Sequence, residues 1–202
     1  DSIIYRDLYA NKIAPPPNIE KFKGPYPGGY VKDPHVGSHD WVVSFDLNSL
    51  YPNLIVQYNM SPETLLKSDQ GDVCIAANGA AFTKKFQGML PRIIINYSDE
   101  RKAIKKDMLA AMQENQRNPS EETEREINRL ENRQMAIKIL LNSLYGALGN
   151  KYFRYFDQSV AEAITTSGQL AILTAETAMN AEMNKILKSD KDYVIAMDTD
   201  SL

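Results

Sequence analysis

Three carboxylates stand at the ends of short apolar runs: Asp46 follows Trp41 to Phe45, and Asp198 and Asp200 follow Tyr193 to Met197. Short runs with β-branched residues read as buried strands, and an acid at a strand end sits at an edge that a ligand can reach. Hard divalent cations that stay partly hydrated take oxygen ligands, often one or two carboxylates. Between the acids lie nitrogen donors at helical spacing, Arg101 with Lys105 and Lys138 with Asn142. Each pair is one turn apart, so two facing helices would bring four donors onto one polyphosphate. Acids for metals and cations for phosphates are the components of nucleotidyl transfer, in which positioning and charge stabilisation dominate.

The elements that must position these groups are legible from periodicity. Ser98 is an N-cap candidate, and Ile104, Met108, Ala111 and Met112 recur at helical spacing to about Arg117. Asn118 and Glu121 have capping-box spacing, with Pro119 at the first helical position and Glu122 and Glu124 near the positive end of the dipole. The restarted helix carries Ile127, Leu130, Ile137, Leu141, Leu144 and Leu148 on one stripe and Lys138, Asn142 and Tyr145 on the adjacent face. The two helices are predicted to form an antiparallel hairpin. Asp157 is predicted to cap a third helix, Ser159 to about Leu187, interrupted only by Gly168 and covering a sheet built from the two apolar runs. Residues 1 to about 40 hold Pro15 to Pro17, Gly24-Pro25, Pro27-Gly-Gly29 and Pro34, which disfavour helix and central strand alike. The fold class is α+β.

The blocks Ser44-Phe-Asp-Leu-Asn-Ser-Leu-Tyr-Pro52, Lys138-Ile-Leu-Leu-Asn-Ser-Leu-Tyr-Gly146 and Asp198-Thr-Asp-Ser201 resemble, in that order, motifs A, B and C of family B DNA polymerases, most closely those of tailed bacteriophages. Gly146 to Asn150, Phe153 to Asp157 and Ile164 to Thr166 extend the match. The resemblance implies a partial palm, an antiparallel sheet with a covering helix, into which a two-helix fingers hairpin is inserted. It divides the chain into a linker at 1–20, palm at 21–95, fingers at 96–150 and palm again at 151–202. Asp46 and Asp200 would hold two divalent ions, Mg2+ by preference, with the Leu47 carbonyl as a further ligand and Asp198 close by. Arg101, Lys105, Lys138 and Asn142 would bind the triphosphate with the amides of Ser49 and Leu50, and Lys138 would also protonate the departing pyrophosphate. Tyr51 would pack beneath the sugar and exclude a 2′-hydroxyl, while Tyr145 and Gly146 face the nascent base pair. Tyr26-Pro-Gly-Gly29 is similar to the family's YxGG motif, so Tyr26, Gly28 and Gly29 would contact template strand. Family members usually carry Tyr-Gly before the acidic pair, where this chain has Ala196-Met197.

Composition bounds the alternatives. The 43% apolar content over 202 residues suffices for a core, and no run approaches a membrane helix. A net charge of −3 argues against a generic polyanion binder, yet the acids crowd into Glu121 to Glu126 and the metal positions while Lys84, Lys85, Arg101, Lys102, Lys105, Lys106, Lys138, Lys151 and Arg154 follow the expected cleft. Lys102 and Lys106 fall on another face of their helix and read as solvated. One cysteine, Cys74, excludes an intrachain disulfide, and His35 and His39 sit among Pro34 and Gly37, where helical ligand spacing does not apply. Primer-template DNA, deoxynucleoside triphosphates and, through regions outside the chain, a sliding clamp and replisome proteins are the implied partners, in a cytoplasm and without a membrane. A start at Asp1 and a stop just after Ser201 read as an internal fragment. The competing reading from a different class is a noncatalytic helical-hairpin module that binds DNA or serves as a scaffold; a related palm that makes RNA or copies it is disfavoured by Tyr51 and the motif order.

Overall fold

The computed structural model describes residues 2–17, 24–67 and 71–202. The division expected near residue 20 lies outside the described residues. Among the described residues, five helices and five very short strands follow one another as α1 (Ser2–Ala10), β1 (Val31–Lys32), α2 (Leu50–Gln57), β2 (Leu65–Leu66), β3 (Val73–Ile75), β4 (Ala81–Thr83), α3 (Met89–Arg117), α4 (Glu121–Leu148), α5 (Gln158–Leu187) and β5 (Met197–Asp198).

The helical half is as predicted in kind and corrected in its ends. α3 and α4 are joined by three residues and pack along their length, with Leu130, Ile137, Leu141 and Leu148 buried on the predicted stripe. α3 starts at Met89 rather than after Ser98. Pro91 sits in its first turn, where a missing N–H costs nothing, and Leu90, Ile93 and Ile94 bury the base of the helix. Its first amides are satisfied from far along the chain: Gly88 N donates to Asn59 Oδ1 at 2.8 Å, Met89 N to the Glu63 carboxylate and Leu90 N to Ser61 Oγ at 3.4 Å. The cap of α4 is Ser120, whose Oγ accepts from Thr123 N at 3.1 Å, while Asn118 closes α3 instead. Three glutamates in the first turn of α4 complement the dipole as anticipated.

The proline-rich N-terminal segment nevertheless opens with a helix. Its prolines begin at Pro15, beyond α1, and Ile4 and Leu8, one turn apart, bury against the main core. Asp7 accepts two hydrogen bonds from Arg92 of α3, at 3.1 and 2.5 Å, which fixes α1 on the hairpin base.

The strand expectations are corrected more deeply. Trp41 to Phe45 is neither a regular strand nor buried, and Trp41 is 98% exposed. The run's apolar side chains line an open groove of about 710 Å³ with Met179, Met183 and Leu187 of α5 instead of being covered. Pairing is confined to its end: Phe45 and Leu202 exchange backbone hydrogen bonds at 2.8 and 3.0 Å, Asp46 bridges Ser201, and Leu47 N donates to Asp200 O at 2.7 Å. The second run shortens to β5, which pairs antiparallel with β1 in the register Val31↔Asp198 and Lys32↔Met197. A separate antiparallel sheet, β2-β4-β3, packs Phe82 into the core.

Asp157 Oδ1 caps α5 by accepting from Ser159 N at 3.0 Å and Val160 N at 3.2 Å, and the helix runs unbroken through Gly168. Val160, Ala163 and Ile164 face the main core, whereas Ile172 joins Val194 and Met197 in a second cluster beneath the acidic turn. Lys32 Nζ bridges Glu176 of α5 and Asp192 before β5, each at 2.5 Å, and its hydrogen bond holds the Asp192 carboxyl below its usual range. β1, β5 and α5 are thereby tied together behind the acids.

Candidate functional site

A cavity of about 520 Å³ lies where the three blocks meet. One wall is acidic and comes from the turn regions, with Asp46, Thr199 and Asp200. The opposite wall is cationic and comes from the hairpin, with Arg101 and Lys105 of α3 and Lys138, Asn142 and Tyr145 of α4. The floor is the start of α2, with Ser49, Leu50 and Tyr51.

The cationic wall follows from helix periodicity. Arg101 and Lys105 share one face of α3, and Lys138 and Asn142 share one face of α4, next to the buried stripe. Arg101 is further oriented by Gln134, which is only 5% exposed and accepts from Arg101 Nε at 3.1 Å. Lys102, one position on, forms an exposed pair with Asp99 at 2.9 Å and is absent from the cavity lining, in keeping with its predicted face.

The acidic wall depends on turn chemistry. Asp198 N and Ser201 O pair at 3.0 Å, Ser201 N returns a bond to Asp198 O, and Thr199 between them has φ of 56°, in the left-handed region. The turn is braced by the Gly-Gly segment: Thr199 N donates to Tyr30 O at 2.8 Å, and a Cβ on Gly29 would stand 2.6 Å from Thr199 Oγ1. Burial raises the Asp200 carboxyl above its usual range, with the nearby charge of Asp46 the next cause and Asp198 a smaller one. Asp198 itself is exposed, accepts from Thr199 Oγ1 at 3.0 Å and does not line the cavity.

On the floor, Ser49 adopts φ 54° at the N-cap of α2 and its side chain does not cap the helix. The first-turn N–H groups of Leu50 and Tyr51 therefore have no helical acceptor and take no cap from Ser49 at the positive end of α2, and Pro52 carries no N–H. The Tyr51 ring lies 4.6 Å, centroid to centroid, from that of Tyr145. Burial raises both phenols, Tyr51 next through Asp200 and Tyr145 next through Tyr26, to which it is also hydrogen-bonded.

Thirteen residues were expected at the catalytic and nucleotide site, and the cavity gathers ten of them, all but Leu47, Gly146 and Asp198. Leu47 is adjacent through its amide bond to Asp200 O, whereas Gly146 is exposed outside the lining. Of the YxGG-like segment, Tyr26 reaches Tyr145, Gly28 O accepts from Gln169 Nε2 of α5 at 2.7 Å, and Gly29 abuts Thr199. The segment thus borders the site without lining it. Among the described residues no three His, Cys, Asp or Glu side chains assemble into a cation cage. Gln134 and Thr199 were not anticipated; Gln134 had a signal, since it lies one turn before Lys138 on the face that meets α3.

The sequence profile of DNA polymerase family B matches residues 2–202. The chain belongs to that family. It is 32% identical to the DNA-directed DNA polymerase of Escherichia phage RB69, over the whole chain and 29% of that protein, and 30% identical to the enzyme of Enterobacteria phage T4 with the same coverage. DNA polymerase 1 of Pyrococcus abyssi is 35% identical over 85% of the chain and 21% of that protein. The structure of the family B DNA polymerase from Pyrobaculum calidifontis superposes with a TM-score of 0.69 and 28% identity, covering 99% of this chain and 25% of that one. The chain thus spans under a third of the length of these relatives. No helix among the described residues is long and apolar enough to cross a membrane.

Proposed function

We propose that the chain supplies the palm and fingers of a template-directed DNA polymerase that adds deoxynucleoside monophosphates to a primer 3′ end and releases pyrophosphate. The observation that carries this reading is the single cavity holding Asp46 and Asp200 opposite Arg101, Lys105, Lys138 and Asn142. The α3–α4 hairpin corresponds to fingers, and the segments before and after it to palm.

The donor set fits divalent ions of the Mg2+ kind: it is all oxygen, and Asp200, raised first by burial and second by the charge of Asp46, carries a repulsion that a cation would offset. Asp46, Asp200 and the Leu47 carbonyl would hold them, with Asp198 alongside and the substrate's phosphates completing the shell. When bound, the two ions supply Lewis acidity toward the attacking hydroxyl and the leaving oxygen, as polymerases are known to use them. The chain's own residues do the rest. Arg101, Lys105, Lys138 and Asn142 grip the triphosphate, joined by the amides of Ser49 and Leu50 at the start of α2. Lys138 also returns a proton to the departing pyrophosphate. Tyr51 floors the sugar, and Tyr145 and Gly146 meet the base pair. Tyr26, Gly28 and Gly29 guide template strand beside the acidic turn. Primer-template DNA and deoxynucleoside triphosphates are the substrates, with a sliding clamp and replisome proteins engaged through other regions in the cytoplasm.

Primer extension by the full-length parent protein tests this. Incorporation that requires added Mg2+ and stops on its chelation is expected; tight DNA binding with no incorporation under any divalent ion would favour the noncatalytic module.

A further inference from the structure

Gly168 sits in the interior of α5, where glycine is about 1 kcal/mol less favourable than alanine. The helix passes through it without a break, so no turn requires it. Its surroundings do. A Cβ at this position would stand 2.8 Å from Tyr51 Cε1, 3.5 Å from Tyr51 Cδ1 and 3.6 Å from Leu50 Cδ2. All three atoms are side-chain atoms and two belong to Tyr51; no backbone of another element comes as close. The missing side chain therefore accommodates a ring and does not serve backbone packing between helices. The same ring also packs on Tyr145, with centroids 4.6 Å apart. Tyr51 lines the cavity and Gly168 does not, so a shift of the ring away from α5 changes the cavity floor.

We propose that Gly168 is a specificity-determining position: by letting the Tyr51 ring rest directly on α5, it sets the depth of the cavity floor and so the tolerance of the site for a substituent on the 2′ carbon of the nucleotide sugar. This rests on the reading of the cavity as a nucleotide site. Gly168 is a positioning residue that acts through Tyr51, and an added methyl group lifts the floor.

The test is a double-mutant cycle in the full-length parent protein between Gly168→Ala and Tyr51→Ala, read as the ratio of single-turnover incorporation efficiencies for matched deoxy- and ribonucleotides. Gly168→Ala alone should lower both efficiencies and raise the deoxy-to-ribo ratio by about five-fold or more, the scale of one overpacked contact. In the Tyr51→Ala background the same change should leave the ratio within about two-fold, because nothing remains to be lifted. An unchanged ratio with Tyr51 present, or an equal shift in both backgrounds, overturns the proposal. Thermal melting supplies a nucleotide-free arm: if Gly168→Ala melts early, Tyr51→Ala must restore the loss, and a double variant that melts as early overturns the proposal as well. This arm reads the coupling of the two residues in a protein that incorporates nothing, so inactivity of the parent counts against the site reading alone.

Discussion

The two walls of the cavity are built on opposite structural principles. The cationic wall stands on helices of 29 and 28 residues that share a buried seam, whereas the acidic wall stands on a two-residue strand, isolated bridges and a turn with a left-handed threonine at its tip. Helices impose the spacing of their donors, and loss of one donor leaves the others in register. Turns impose little by themselves, so the acids depend on partners brought from elsewhere: Tyr30 and Gly29 for Thr199, Leu47 for Asp200. Redundancy on one side and single points of failure on the other should show in the sizes of mutational effects.

The largest loss is expected at the acids. Asp46→Asn or Asp200→Asn in the parent protein should reduce incorporation by on the order of 10³-fold or more while primer-template binding changes little, because cation charge stabilises the transition state more than the DNA complex. Extension within a few-fold of the unmodified protein would sink the metal assignment. Across the cavity, Lys138→Ala removes one donor of four. A charge-assisted contact is worth roughly 1.5 to 3 kcal/mol, so a fall of about ten- to one-hundred-fold is expected in single-turnover kinetics. A loss equal to that of the aspartates would erase the contrast between the walls.

Tyr51 joins the two walls, touching Tyr145 of α4 and feeling the charges of Asp200 and Asp198. If its ring excludes the 2′-hydroxyl, Tyr51→Ala should admit ribonucleotides, and the deoxy-to-ribo ratio of incorporation efficiencies should fall by about ten-fold or more while deoxynucleotide use drops less. An unchanged ratio would make Tyr51 a packing aromatic.

The same contrast explains what could be read from the sequence. The hairpin, its stripe and the placement of Arg101, Lys105, Lys138 and Asn142 follow from a period of 3.6 and needed no tertiary knowledge. What periodicity missed in the helices were their starts: α3 begins nine residues before Ser98 because Asn59, Ser61 and Glu63 satisfy its first amides, partners invisible to a local cap rule. Strand signals failed where burial was assumed. Trp41 to Phe45 has the composition of a core strand, yet only its last residues pair, and a run's composition does not reveal whether a neighbour covers it. Residues that act through another side chain were beyond reach as well, since Gly168 looks like a helix flaw until Tyr51 is seen against it.

Gln134 tests whether the cationic wall also conceals a dependence. Its amide oxygen holds Arg101 Nε, so Gln134→Ala should weaken nucleotide affinity by about three- to ten-fold with a smaller change in the chemical step. Gln134→Glu, which keeps an acceptor, should recover most of that loss. Equal losses in both variants would assign Gln134 to packing.

The smallest effect is expected one residue along α3. Lys102 follows Arg101 directly, but a step of about 100° turns it to the solvent face, where it pairs with Asp99 at 2.9 Å and both side chains are mostly exposed. An exposed pair of this kind contributes at most about 1 kcal/mol to stability and none of its charge to the cavity. Lys102→Ala should therefore leave nucleotide affinity and single-turnover rate within about two-fold, while Lys105→Ala, back on the cavity face, loses about ten-fold. Salt sharpens the comparison, because screening over about 10 Å at 0.1 M weakens any general contribution of surface charge more than a direct contact. If Lys102→Ala and Lys105→Ala weakened nucleotide binding alike, and alike less at high salt, the wall would act as a diffuse positive field. The one-turn register of its donors would then carry no specificity.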